Sequence, residues 1–283
     1  MTSNRLERQR PKLLVINASA FSQGNWNLTD EVYLRKWIDN MPMSQNKLDT
    51  VETIPKNINK DDEEVKDNIS DTLYFPLEKY HGNWKDPEAV YTSFVTRAYM
   101  RLSGGGYLKG FYSKTGITGG RDNLANIGQP TKEAYVLTDE CRAYLKELLS
   151  YCNKLGIEHV LLLQPPHETQ AADKSGLELI ESITKAYGYD FLDLSTDYES
   201  IAGIDDTHDF ADFEHLNAYG AKKLTAYIGN MAVNQYGIKS DTAKSELSIW
   251  KKSVKRTKKA LKMAREYTDR GEAQVVGEYE AAK

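Results

Sequence analysis

Apolar residues recur at helical spacing most regularly between Thr138 and Tyr236. Cys141, Tyr144, Leu145, Leu148, Leu149, Cys152 and Leu155 form one stripe, with Thr138 as N-cap and Gly156 as stop. The continuous run His159-Val160-Leu161-Leu162-Leu163 follows and ends at Pro165-Pro166, the pattern of a buried strand. Leu177, Ile180, Ile183 and Tyr187 mark a second helix that Gly188 stops, and Phe191–Leu194 is the next strand. A loop from Thr196 to Phe213 leads to a last helix over Ala218–Tyr236, striped by Leu224, Ile228 and Met231.

Earlier in the chain, Leu13–Ile16 after Pro11 predicts a strand covered on both faces. Thr29 or Asp30 caps a helix through Asn40, and Ser44 caps another to about Thr53. Asn57–Asp71 is mostly charged or polar and predicts a solvated loop. Between Leu73 and Pro130 the periodicity fades into aromatic residues mixed with Gly104-Gly105-Gly106 and Gly119-Gly120, the pattern of an irregular insertion or lid. The glycine triplet lacks the Gly-Lys-Ser/Thr of a phosphate loop. From Ser245 the chain is helical and basic, and its basic residues spread round the helix, which reads as a solvated surface, with contact to an anionic polymer or membrane as the alternative.

Strand, helix, strand, helix, strand, loop and helix together imply βαβ crossovers and a parallel sheet. Ligands of such sheets bind beyond the carboxyl ends of the strands. That rule gathers Asn17–Ser22, Gln164–His167 and Ser195–His215 at one edge. The expected organisation is an α/β domain over residues 1–240, with an insertion at about 57–135, followed by a helical tail over 241–283.

Size and charge narrow the function classes. The 283 residues allow one large α/β domain or two smaller units. With 41 acidic and 37 basic residues the net charge is −4, which does not point to nucleic acid. No apolar run approaches the ~18 residues of a membrane span. Arg5–Lys12 followed by Leu13–Ile16 imitates a signal peptide, but Asn17 interrupts an apolar part that is already too short. Cys141 and Cys152 share one predicted helix about 16 Å apart along its axis, too far for a mutual disulfide.

The chemistry centres on Asp212-Phe213-Glu214-His215-Leu216-Asn217-Ala218-Tyr219-Gly220. In a turn, residues three apart sit on one side, so Asp212 can accept a hydrogen bond from Nδ1–H of His215. Nε2 is then free to act as a base. Asn217 suits the N-cap of the following helix. His167, beside the strand end, and Ser19, beside another, are candidate substrate contacts, as is Asn217. His159 reads as packing or surface, and His81 and His208 as loop residues. Asp205, Asp206, Asp209 and Asp212 lack the glycine and spacing of an EF-hand loop, and no Cys/His pattern suggests zinc, so no metal or organic cofactor is implied.

The block Asp212, His215, Leu216, Asn217 and Gly220 resembles the D-x-x-H-L-N-x-x-G block of the SGNH/GDSL hydrolase superfamily. In particular it looks like the bacterial branch that modifies surface polysaccharides. The resemblance is closest over about residues 138–236, including "IEHVLLLQPP" and "YGYDFLDLS"; weaker echoes are "MPMSQNKL", "FPLEKYHGNW" and "LKGFY". It implies a three-layer α/β/α sandwich of flavodoxin-like type and a hydrolase, an esterase or O-acyltransferase, acting on acyl esters of a cell-envelope glycan. His215 would take a proton from a serine and Asp212 would orient it. The setting implied is the cell envelope.

The chain departs from that pattern at its start. The family's Gly-Asp-Ser-like turn, its oxyanion glycine and its Gly-x-Asn-Asp segment have no counterpart here; Ser19-Ala20-Phe21-Ser22 stands where the last should be. The first strand resembles the family's third and would be left as an exposed edge. Three readings follow: a truncated reading of a longer protein, missing strands supplied by a partner chain, or a non-catalytic relative that binds glycan or a protein.

Overall fold

The computed structural model describes residues 10–22, 38–39, 41, 43–57, 73–74, 85–88, 90–91, 94–95, 98, 108, 111–117, 137–166, 174–212, 215–239, 244–277 and 280–281. Almost all of the helix expected from Thr29 or Asp30 to Asn40, the loop expected up to Asp71, the glycine clusters, His81 and His167 lie outside them. The chain divides into two compact units, 1–24 joined with 100–283, and 25–99. This division differs from the expected boundaries, because the tail beyond 240 packs into the first unit. Val275–Val276 of the tail pair with residues 113–114, and the helix over 244–269 packs against both.

In chain order the described elements are β1 (Leu13–Asn17), α1 (Ser19–Ser22), α2 (Gln45–Asn57), β2 (Ser113–Lys114), α3 (Asp139–Lys154) and β3 (His159–Gln164). Then come α4 (Lys174–Ala186), β4 (Asp190–Asp193), α5 (Tyr198–Ala202), α6 (Ala218–Asn234), α7 (Lys244–Asp269) and β5 (Val275–Val276). Residues 25–99 contain α2, whose Val51 packs in a small apolar cluster with Ile38, Leu73 and Tyr74.

In the larger unit the fold is mixed α/β, built on a three-stranded parallel sheet in the order β1-β3-β4. Leu13 pairs with His159 and Asn17 with Leu163, while Leu161 pairs with Asp190 and Gln164 with Asp193. The central strand β3 is buried from Val160 to Gln164. Its alternate residues feed two cores. Val160 and Leu162 join Leu145, Leu149, Cys152, Leu177 and Ile180 of α3 and α4. Leu163 joins Leu194, Tyr198, Ile204 and Phe210, with Leu224 and Ile228 of α6 against them. Helices therefore pack on both faces of β3. Each fully buried aliphatic side chain there contributes roughly 1.5–3 kcal/mol.

Strand β1 corrects the sequence reading. It is not covered on both faces: Val15 is exposed and Leu13, Leu14 and Ile16 are half-buried. The apolar run is short because β1 is an outer strand, bonded to β3 on one side.

Local sequence explains the helices. Thr138 Oγ1 accepts from the Cys141 amide at 3.2 Å, and Gly156 leaves α3 with φ 65°. Ser44 Oγ accepts from the Lys47 amide at the start of α2. Gly188, at φ 81°, turns the chain from α4 into β4. At the far end of the sheet, Tyr236 donates to Asp190 Oδ2 at 2.8 Å and its ring lies 4.9 Å from that of His159, tying the end of α6 to β3 and β4. Burial comes first in pushing the Tyr236 phenol up, with the Asp190 hydrogen bond adding to it. Among the described residues no helix is long and apolar enough to cross a membrane.

Candidate functional site

The loop between α5 and α6 folds back on itself. Asp209 O accepts from the Asn217 amide at 2.9 Å, Phe210 bridges Leu216, and the Ala211 amide donates to His215 O at 2.8 Å. This short antiparallel return puts Asp212 and His215 at its tip. His215 Nδ1 stands 2.7 Å from Asp212 Oδ1. An unprotonated ring nitrogen that close to a carboxylate oxygen would set lone pair against lone pair. Nδ1 therefore carries the hydrogen and donates it, which leaves Nε2 as the acceptor of the neutral ring.

Lys114 completes the cluster. Its Nζ donates to Asp212 Oδ2 at 2.9 Å and lies 3.1 Å from His215 Nδ1. Because Nδ1 already bears a hydrogen, the ammonium beside it is a neighbouring charge, not a hydrogen-bond donor to the ring. The Lys114, Asp212 and His215 side chains are 33%, 38% and 40% exposed, so all three reach solvent while their partners hold them. Lys114 on Oδ2 and His215 on Oδ1 hold the Asp212 carboxylate plane and through it the imidazole.

Sequence reasoning missed Lys114. It sits in a two-residue strand, in the region where periodicity fades. Its position comes from antiparallel pairing with β5, Ser113 opposite Val276 and Lys114 opposite Val275. Thr115 reinforces that pairing: its amide donates to Gln274 O at 2.9 Å, and its hydroxyl accepts from the Gln274 amide at 2.8 Å. No signal local to residue 114 announces this.

The remainder of the block is structural. Asn217 is fully buried. Its Oδ1 accepts from the Tyr219 and Gly220 amides at the start of α6, and its Nδ2 donates to Gly116 O at 3.1 Å and His208 O at 2.7 Å. The N-cap is therefore where the pattern puts it, but Asn217 is not a substrate contact: both ends of its amide are committed inside the protein. Gly220 is required by space. A Cβ there would come 2.5 Å from Asp209 O and 2.9 Å from a Leu216 methyl. Spacing in this block thus encodes a cap and a close backbone crossing as much as it encodes chemistry.

Asp209 is also buried, with Oδ2 accepting from Lys223 Nζ at 2.6 Å and the Asp205 amide at 2.8 Å. Hydrogen bonds from Thr207 hold the Asp205 carboxyl below the usual carboxylate range. These acids staple the loop. Among the described residues no group of three or more His, Cys, Asp or Glu side chains is placed to hold a metal ion.

A cleft of about 240 Å³ opens at His215, lined by Tyr112, Lys114, Pro165, Pro166, His215 and Leu216. It brings the end of β3 and the Asp212–His215 loop together, as the parallel-sheet rule predicts. It does not bring Ser19, which starts α1 half-buried with its amide on Asn17 Oδ1, and no serine is among the described residues lining it. Ser195 is buried beyond β4, its amide on Asp193 Oδ1. Prolines and Leu216 give the cleft apolar walls, while Lys114 and His215 supply its polar side.

No protein-family model matches the chain, nor does any curated protein or solved structure with which it was compared.

Proposed function

We propose that the protein is an SGNH-type esterase or O-acyltransferase acting on acyl esters of a cell-envelope glycan, with His215 as general base and acid and Asp212 as its orienting partner. The observation that carries this reading is the 2.7 Å contact between His215 Nδ1 and Asp212 Oδ1 at the mouth of a cleft beside the carboxyl end of β3. The same reading takes the helices on either side of β3 as the outer layers of a three-layer α/β/α sandwich.

In this chemistry Nε2 of His215 removes the proton from a serine hydroxyl as its oxygen attacks the ester carbonyl carbon. The imidazolium returns that proton to the departing glycan oxygen, and water or an acceptor hydroxyl then repeats the cycle on the acyl-serine. Asp212 keeps the ring in the Nδ1–H tautomer throughout. On this reading the serine is missing from the pattern of this chain and is supplied in trans. Apolar walls of the cleft suit a short acyl group, and Tyr112 at its rim offers a ring face to a sugar.

A second reading is a non-catalytic module that binds glycan or a protein partner in the same cleft. The absence of a serine among its described lining residues favours it. Purified protein offered p-nitrophenyl acetate separates the two. Esterase activity lost in His215→Ala, together with labelling by a fluorophosphonate, supports the first. Activity untouched by His215→Ala ends it, and absence of labelling favours the second.

A further inference from the structure

Helix α7 carries a charge pattern that the cleft does not use. Between Leu247 and Arg265 it holds Lys251, Lys252, Lys255, Arg256, Lys258, Lys259, Lys262 and Arg265, eight basic residues, and no acid. Removing those eight from the chain's 37 leaves 29 basic against 41 acidic residues, so a +8 segment belongs to a chain whose remainder is −12. The helix is anchored along one line, Ser253, Ala260, Ala264 and Thr268, all buried.

At 100° per residue, Leu247, Trp250 and Val254 fall together on one flank of that line. They are 39%, 47% and 50% exposed, large apolar side chains facing water on the first turns of α7. The next strip round the helix is Lys251, Lys255, Lys258 and Lys262, all exposed. An apolar ribbon about 10 Å long thus runs beside a row of ammonium groups.

We propose that this flank of α7 docks the protein on an anionic lipid bilayer surface, with Leu247, Trp250 and Val254 entering the headgroup boundary and the lysine row reaching lipid phosphates. Charge complementarity calls for an anionic partner. The apolar ribbon selects lipid among anionic partners, because a soluble polyanion would pair the lysines and leave the Leu-Trp-Val ribbon in water. The ribbon is short, so the contact is shallow, reversible and salt-sensitive.

Co-flotation of the full chain with extruded vesicles tests this. Vesicles of phosphatidylcholine containing roughly one-third phosphatidylglycerol should carry the protein at about 0.1 M salt, and pure phosphatidylcholine should not. Raising salt to about 0.5 M should lower the bound fraction at least about fivefold. Lys251→Glu/Lys255→Glu/Lys258→Glu should abolish flotation. Leu247→Ser/Trp250→Ser/Val254→Ser should cut it about tenfold while binding to soluble dextran sulfate stays unchanged, with circular dichroism confirming that each variant is folded. Failure to float with anionic vesicles overturns the proposal. So does equal flotation with neutral ones. Loss of the apolar ribbon without effect would instead identify the helix as a polyanion-binding surface and would equally overturn it.

Discussion

Lys114 and His215 share one carboxylate: Nζ of the lysine meets Asp212 Oδ2 at 2.9 Å while Nδ1 of the histidine meets Oδ1 at 2.7 Å. The acid is clamped from two sides, by a cation that arrives from β2 and by a ring on its own loop. A partly exposed ion pair of this kind contributes ~1 kcal/mol or less to stability. Its larger effect is on orientation. Lys114→Met should therefore leave the melting temperature within a few degrees of wild type and, on the proposed esterase reading, lower ester hydrolysis about threefold to tenfold, with Lys114→Arg intermediate. Thermal melts and steady-state rates on the same preparations check both halves.

Asp212→Asn keeps the shape but offers His215 a neutral partner that can present either an oxygen or an N–H. The ring loses its enforced tautomer. On the proposed esterase reading, hydrolysis should fall about a hundredfold or more. Independently of any activity, long-range ¹H–¹⁵N spectra should report an Nδ1–H ring in the wild type and a mixture in the variant. A wild-type ring protonated on Nε2 alone would contradict the 2.7 Å contact as assigned.

Gly220→Ala would push a methyl group into the Asp209 carbonyl, so the loop or α6 must move. A loss of about 2 kcal/mol or more is expected. Asn217→Ala removes the cap and strands the buried Gly116 carbonyl and the part-buried His208 carbonyl, and should cost about 2–3 kcal/mol. Denaturant titration measures both. If Asn217→Ala leaves stability intact, the cap is not what holds this loop.

Burial pushes the Cys152 thiol up, and burial followed by the nearby Cys152 pushes the Tyr189 phenol up. Folded, both groups hold their protons more tightly than in the unfolded chain. Their contribution is complete below the ordinary thiol range and is lost as pH rises toward the raised folded values. Stability should therefore decline above about pH 8.5. In the native protein the half-buried Cys141 should react with a thiol reagent well before Cys152, and denaturant should remove the difference.

The elements readable in advance are those specified locally. Thr138, Gly156 and Gly188 bracket their helices by capping and positive φ, and the β3 run is apolar because helices pack on both its faces. Asp212 and His215 were legible for the same reason: three residues of separation in a tight return suffice to bring them together. The exposure of Val15 was not legible, since an apolar run of four residues reads alike at the edge and the centre of a sheet. Asn217 misled in one respect, because a polar residue beside an acid–imidazole pair looks like a ligand contact until its amide is seen spent on Gly116 and His208. Lys114 was invisible because distant pairing places it.

That distant pairing ties the chemistry to synthesis. Lys114 is translated long before Val275, yet it takes its place beside Asp212 through the strand that Val275 begins. On the ribosome the acid and the imidazole can meet as soon as their loop emerges, but their cation must wait until Val275 and Val276 have followed. A nascent or proteolytically clipped molecule ending near residue 270 would carry the dyad without its clamp, so the intactness of the last strand becomes a condition for a fully ordered site.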